Sequence, residues 1–337
     1  MPDRSNALPA IPVLDATGDD PVARTLDAAG DRLALLVARA AAHYGRPFLA
    51  AADGVSRRWL ARNCTPYRDD VAAVAARLGT PGAWFLNASF EWCCTCGVAP
   101  DPQSGAMRIL RVLDWPLDGL GDGMVAARQS GAAGPYVNLT WPGFAGVVTA
   151  IAPGRFAAAI NQAPMPHCGL GLVGDWAAAR LRVWRTCAAP PMHLLRRVFE
   201  SCRDYAEARA ALSRTPIALP AIFTLAGAGP GEGCVIERTA EAAHIHQAPV
   251  TAANHWQTPA LRGRARGTDS RARLAAMQAV FRGPADTDFG WLAPPMRNAT
   301  TRMAAILEPG PALGAARLAV QGFEAQGPAT TVLSLAL

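Results

Sequence analysis

Apolar and polar positions along the chain change period twice. From Val22 to Tyr44, leucine, alanine and valine recur at helical spacing behind Asp20-Pro21, a helix-start pair. Gly45-Arg46-Pro47 predicts the stop of that helix. Further helices are predicted over Ser56–Asn63 and over Tyr67–Leu78, the latter closed by Gly79. Residues 1–19, with their prolines and aspartates, predict irregular chain. Gly82 to Trp92, carrying Trp84, Phe85, Leu86 and Phe90, predicts a strand. Beyond Asp114 the alternation is shorter. Val125–Gln129, Tyr136–Trp141, Ala145–Ile151 and Arg155–Ile160 are predicted strands with Gly- and Pro-containing turns between them, a meander suited to antiparallel pairing. Helical patterns follow at Trp176–Arg185, Met192–Cys202 and Asp204–Leu212. Strands are then predicted at Ala221–Ala226, Cys234–Arg238 and His244–Gln247, a helix at Arg271–Phe281, and strands at Thr300–Leu307 and Thr331–Leu337.

The stretch from Trp92 to Trp115 stands apart from this texture. Trp92-Cys93-Cys94-Thr95-Cys96 leads through a short polar turn into Ile109-Leu110-Arg111-Val112-Leu113-Asp114-Trp115. An arginine inside an apolar β run either faces water or is buried, and a buried charge needs partners. Burial would make Arg111 part of a site.

Composition narrows the class. The chain has 337 residues, 51% hydrophobic and 17% charged, a globular balance with ample apolar surface for a core. All 32 basic residues are arginine, which with the abundant alanine points to a GC-rich coding sequence. The net charge of +6 is a mild excess, and the one arginine-dense stretch, Arg262 to Arg273, reads as a solvated loop and helix start rather than a nucleic-acid surface. No apolar run approaches the ~20 residues of a membrane span, and no basic n-region precedes an apolar h-region. The eight cysteines are therefore expected as thiols, and a cytoplasmic bacterial protein is the simplest expectation. Cys93, Cys94 and Cys96 lack the Cys-x-x-Cys spacing of zinc sites, and His244 and His246 form only a pair on one strand face, so no metal and no cofactor is expected. The glycines from Gly227 to Gly233 lack the Gly-Lys-Ser/Thr and the following helix of a phosphate loop.

Cys94-Thr95 at a strand start, followed after a hairpin by Arg111-x-x-Asp114-Trp115, resembles the N-terminal-nucleophile amidases of the acid ceramidase and choloylglycine hydrolase group. The resemblance implies self-cleavage between Cys93 and Cys94. Cys94 would then be nucleophile and base in one residue, since a free α-amine of pKa about 7.7–8.0 can accept the thiol proton. Residues 1–93 would remain as an associated helical segment and 94–337 would form the catalytic segment, the two together making one domain. Arg111 would favour the thiolate and Asp114 would orient the amine. The 17 residues from Cys94 to Arg111 exceed the family spacing by one, which places an extra residue in the Pro100–Gly105 turn.

Further segments agree in order. Trp141 to Thr149, Pro153 to Phe156 and Ile160-Asn161-Gln162 resemble the hairpin that ends in Asn-Glu in that group; Gln162 replaces the carboxylate by an amide. Pro220 to Gly227 and Gly231 to Arg238 are similar to the family's strand–turn–strand. Thr251-Ala-Ala-Asn254-His-Trp is similar to the Thr-Asn-aromatic element, implying Asn254 as an oxyanion donor with Asn161 or Gln162. Asp269-Ser-Arg271-Ala-Arg273 resembles the segment with a second active-site arginine, for which Arg271 fits best and Arg273 next.

The likeness covers roughly residues 80–310. Composition and pattern alone give α+β. The resemblance adds a four-layer αββα sandwich of two antiparallel sheets. It implies a cysteine amidohydrolase acting through an acyl-thioester on the linear C–N amide of a small N-acyl compound. The alternatives are an acyltransferase of the same fold, similar to peptide-to-penicillin acyltransferases, and a non-catalytic binding homologue.

Overall fold

A computed structural model describes residues 8–89, 92–312 and 314–337. The first part of the chain forms β1 (Val13–Asp15), α1 (Pro21–Tyr44), α2 (Arg46–Leu60), α3 (Arg68–Leu78) and α4 (Ala83–Ala88). Then come β2 (Cys93–Pro100), β3 (Met107–Asp114), α5 (Leu120–Gly123), β4 (Val125–Gly131), β5 (Gly134–Thr140), β6 (Thr149–Ala152), β7 (Phe156–Gln162) and β8 (Met165–Pro166). Three helices follow: α6 (Gly171–Arg185), α7 (Pro191–Ser201) and α8 (Tyr205–Arg214). The remainder is β9 (Ala221–Gly227), β10 (Gly233–Arg238), β11 (Ala243–Gln247), β12 (Val250–Ala252), β13 (Gly263–Arg264), α9 (Ser270–Val280), β14 (Thr301–Glu308), β15 (Arg317–Glu324), β16 (Gly327–Pro328) and β17 (Leu333–Ala336).

The strands form two large sheets. The first runs β1-β4-β5-β6-β7-β9-β10-β11, antiparallel except for the β1–β4 pair. The second runs β12-β2-β3-β14-β15-β16, with β17 also on β15. Strands β2 and β3 lie against β7 and β9 of the first sheet. Their side chains alternate with the pleat. Cys94, Val98, Ile109 and Leu113 enter the core between the sheets, while Ala99, Leu110 and Val112 pack on Met277 and Phe281 of the α9 region. Fully burying each such Ile or Leu contributes about 1.5–3 kcal/mol, which fixes the register, because a one-residue slip would exchange the two faces. Helices α7 and α8 cover the first sheet and α9 covers the second. The result is the αββα sandwich.

Gly97 shows how closely α9 sits: a Cβ there would lie 2.7 Å from the Phe281 side chain, so the strand needs glycine at that point.

Several expectations change. Gly82 to Trp92 is not a strand: Ala83–Ala88 is α4, and residues 90 and 91 lie outside the described residues. The aromatic β-propensity loses to tertiary bonds, since the Asn87 amide donates to Ala83 O and Gly143 O and its oxygen accepts from Ala145 N. Helix α2 starts at Arg46, not Ser56. Gly45, with φ of 84°, ends α1, and Pro47 falls in the first turn of α2, where its missing N–H costs nothing. Val13–Asp15 is a strand within the stretch expected to be irregular, because it pairs in parallel with β4. Strand β15 went unrecognised, although it lies at the heart of the second sheet's outer half.

Candidate active site

The site is built on β2 and β3, and the pleat divides it into two faces. Cys96 and Arg111 are cross-strand partners, so both face the first sheet, as does Cys94. Cys93 pairs with Asp114, and both belong to the α9 side with Thr95.

On the inner face Arg111 is fully buried. Its guanidinium donates to Asn161 Oδ1 at 2.6 Å, to Ile160 O at 3.0 Å and to Cys96 Sγ at 3.2 Å. No carboxylate pairs with it among the described residues. The Cys94 thiol lies 3.8 Å from Ile160 O. Burial drives its pKa far above the ordinary thiol value, and Arg111 pulls the other way. In the intact chain Cys94 is thus a closed, protonated thiol beside a cation. Asn161 arrives at the end of β7, where its Nδ2 faces Ala253 O at 3.2 Å and Cys94 O at 3.5 Å.

On the other face Arg273 is the organising group. It is 1% exposed, and it donates to Cys94 O at 2.9 Å, Thr95 Oγ1 at 2.7 Å and Asn254 Oδ1 at 2.9 Å. Its nearest carboxylate is Asp114 at 3.6 Å. Asp114 accepts from Thr301 Oγ1 at 2.8 Å and Asn298 Nδ2 at 3.2 Å. Burial raises the Asp114 pKa; Arg273 and these donors oppose the rise. Burial likewise pushes the Cys93 thiol up to about 11. Gly267, with φ of 71°, lets the loop before α9 close over this face, since a Cβ there would sit 2.7 Å from Cys93 Sγ.

Asn254 joins the faces. Its Oδ1 accepts from Cys94 N at 2.8 Å, the amide of the expected scissile bond, and its Nδ2 donates to Gln162 O at 2.8 Å. The Ser270 hydroxyl accepts from Asn254 N at 2.8 Å and lies 2.8 Å from His255 Nδ1, tying the loop to α9.

The structure therefore brings together Cys93, Cys94, Arg111, Asp114, Asn161 and Asn254. Gln162 contributes its main-chain carbonyl. Arg271 does not reach the cluster: it lies exposed on α9, and Arg273, two residues on, faces β2. A helical offset of two turns the side chain by roughly 200°, so only one of the pair can face inward. Nor do Arg111 and Asp114 form a pair with each other; three residues apart on a strand, they project from opposite faces. Asn298 and Thr301, which hold Asp114, escaped sequence reading; the Asn298-Ala-Thr-Thr301 turn chemistry was their only signal. His246 binds Glu237 and Thr258 and is not part of the cluster.

Among known proteins, the chain is 27% identical over 210 residues to a probable acid ceramidase of Caenorhabditis elegans, a match covering 57% of this chain and 51% of the relative. It is 33% identical over 100 residues to human acid ceramidase, covering 29% and 24% of the two chains. Among solved structures, a Caenorhabditis elegans N-acylethanolamine-hydrolyzing acid amidase ortholog superposes with a TM-score of 0.50 at 22% identity, covering 65% of this chain and 93% of that one. No family model matches the chain. The matched stretch spans about half the length of the nematode ceramidase.

Proposed function

We propose, for a chain that is acid ceramidase-like in sequence and N-terminal-nucleophile hydrolase-like in fold, that it is a self-processing cysteine amidohydrolase acting on a small N-acyl amide. The observation that carries this reading is the bond from Cys94 N to Asn254 Oδ1 with Arg111 and Arg273 buried on either side. It gives the N–H of the Cys93–Cys94 peptide a side-chain acceptor beside two buried cations, an arrangement that a structural core does not need.

In the first step the Cys94 thiol attacks the Cys93 carbonyl, and the peptide nitrogen leaves as the Cys94 α-amine. Water releases the Cys93 carboxylate. The new amine keeps Asn254 Oδ1 as acceptor, with the Asp114 charge across the β2–β3 pair. It can then take the thiol proton near neutral pH and pass it to the leaving amine of a substrate. Arg111 favours the thiolate. Asn254 Nδ2 and Asn161 Nδ2 are the donors for the tetrahedral oxyanion, once the substrate displaces their present carbonyl partners. An acyl-thioester on Cys94 follows, and water hydrolyses it.

An apolar recess between the N-terminal segment and the sheets has the lining an acyl group would need. Leu33, Leu36 and Leu86 line one side, and Trp115, Trp141 and Phe144 line the other. Trp115 also packs on Trp92, one residue before the scissile pair, with ring centroids 5.2 Å apart. The related proteins named for ceramide and N-acylethanolamine cleavage point to the same class of substrate.

The test is intact mass and N-terminal sequencing of purified protein incubated from neutral to acidic pH, followed by a screen of N-acyl amides, bile-salt conjugates and penicillin V. Two associated chains starting at Met1 and Cys94, with release of a fatty acid, are expected. A chain that stays whole under every condition and releases no acyl group would leave a binding protein.

A further inference from the structure

Asn254 sits in the loop that follows β12, and that loop is pinned on two sides. On one side the buried Glu237 carboxylate accepts from Gln257 N at 2.6 Å and Thr258 N at 3.0 Å. On the other the Ser270 hydroxyl, at the first position of α9, accepts from Asn254 N at 2.8 Å and lies 2.8 Å from His255 Nδ1. Ser270 is 3% exposed and His255 7%.

The proton of that hydroxyl decides the state of the histidine. A backbone N–H can only donate, so Asn254 N occupies one lone pair of Ser270 Oγ. Among the described residues the one other hydrogen-bonding contact of Oγ is His255 Nδ1. The hydroxyl proton therefore goes to the Nδ1 lone pair, which requires a neutral ring with its own proton on Nε2. An imidazolium would present an N–H to Ser270 instead and leave a buried hydroxyl proton with no acceptor.

The surroundings favour the neutral ring. Arg271 and Arg273 face it from α9 and Glu237 from β10, with His246 of β11 bonded to Glu237. Burial lowers the His255 pKa from the ordinary 6.5, both arginines lower it further, and Glu237 opposes them.

We propose that Ser270 and His255 are positioning residues for Asn254, and that a proton on His255 loosens Asn254 from the Cys94 amide. Neutral His255 takes the Ser270 proton, Ser270 Oγ takes the Asn254 N–H, and Asn254 Oδ1 takes the Cys94 N–H. When Nδ1 gains a proton, the Ser270 hydroxyl must turn away, and the relay breaks at its first link. For catalysis, which rests on the amidase reading, acid then slows the chemical step. Substrate binding changes little, because none of the three residues lines the apolar recess.

The test compares wild type, Ser270→Ala, His255→Ala and His255→Asn between about pH 7 and about pH 4, a span that covers ordinary and lowered histidine titration. Asparagine puts an amide oxygen, which does not titrate here, near the place of Nδ1. In wild type kcat should fall toward the acid end while KM stays within about twofold. Ser270→Ala and His255→Ala should lose about tenfold in kcat at neutral pH, the rate equivalent of one hydrogen bond. His255→Asn should keep wild-type kcat at neutral pH and lose the acidic fall. A wild-type rate that does not fall in acid, a fall that survives in His255→Asn, a His255→Asn no better than His255→Ala, or wild-type kcat in Ser270→Ala overturns the proposal. A second measurement needs no turnover. In the uncut Cys94→Ala chain carrying nitrogen-15 asparagine, the Asn254 amide resonance should titrate together with His255 and cease to do so when His255→Asn is added. An Asn254 resonance indifferent to pH overturns the proposal whatever the activity. A wild type that releases no acyl group while Asn254 still follows His255 would fail the amidase reading and leave the positioning role standing.

Discussion

The two faces of the β2–β3 pair carry one buried arginine each and treat it differently. On the α9 side, Arg273 has Asp114 at 3.6 Å and a ring of neutral oxygens, so the cation is matched and its geometry is structural as well as chemical. On the inner side, Arg111 has, among the described residues, only neutral partners: an amide oxygen, a main-chain carbonyl and thiol sulfur. A buried cation without a counter-ion is expensive. In the proposed reaction the anion it would gain is the Cys94 thiolate or the oxyanion, so the matched arginine would build the site and the unmatched one would wait for charge.

Replacing Cys94 tests whether the inner face does chemistry at all. Cys94→Ala should stay a single chain and lose turnover by roughly 10⁴-fold or more, because nucleophile and base vanish together. Cys96→Ala should keep measurable activity, as it removes only one of the acceptors of Arg111. The reverse outcome in acyl-release assays would move the nucleophile.

Arg111→Lys comes next. It keeps the charge and loses the planar fork that reaches Asn161 and Ile160 together. Turnover should drop about 10²–10³-fold, as for loss of an oxyanion donor. Melting should stay near wild type. Equal losses of melting temperature and rate would make Arg111 a structural residue and erase the contrast.

Asp114→Asn should lose turnover through the unoriented amine and, unlike Arg111→Lys, should lose stability as well. It leaves Arg273 without its carboxylate, which costs on the order of 3 kcal/mol for a broken buried pair. Urea unfolding measures this. Exposed Arg271→Ala is its control and should fall within about 0.5 kcal/mol of wild type. A variant at position 114 as stable as that control would mean that Arg273 needs no anion either.

A buried group away from both faces sets the scale for pH. His193 on α7 lies 2.7 Å from Thr65 Oγ1 of the N-terminal segment, and burial, followed by Arg196, pushes its pKa down to about 3 from 6.5. The unfolded chain takes up that proton first. Its contribution is complete above about pH 6.5 and is lost as pH falls toward 3, by about 1.4 kcal/mol per pH unit. His193→Asn keeps an acceptor for Thr65 and should flatten that slope between pH 6 and pH 4, roughly the span below an ordinary histidine pKa. An unchanged slope would assign acid sensitivity to the carboxylates, Asp114 among them.

The sequence by itself determined the elements with strong period and punctuation: α1 behind Asp20-Pro21, the meander β4 to β7, helices α7 and α8, and the strand pair carrying Cys94 and Arg111. These follow from local rules, in which apolar spacing, caps and turn residues act within a few positions. Of the residues expected at a site, Cys94, Arg111, Asp114, Asn161 and Asn254 lie close together around the β2–β3 pair. Tertiary structure decided what depends on distant partners. It made Ala83–Ala88 a helix through the Asn87 bonds to Gly143 and Ala145. It built β1 and β15 as strands by giving them neighbours. It chose Arg273 over Arg271, because α9 is held by Phe281 against Gly97 of β2 and by Ser270, bonded to Asn254 and His255. It also split Arg111 from Asp114, since a strand's pleat separates odd from even positions and only the sheets on either side give each face its meaning.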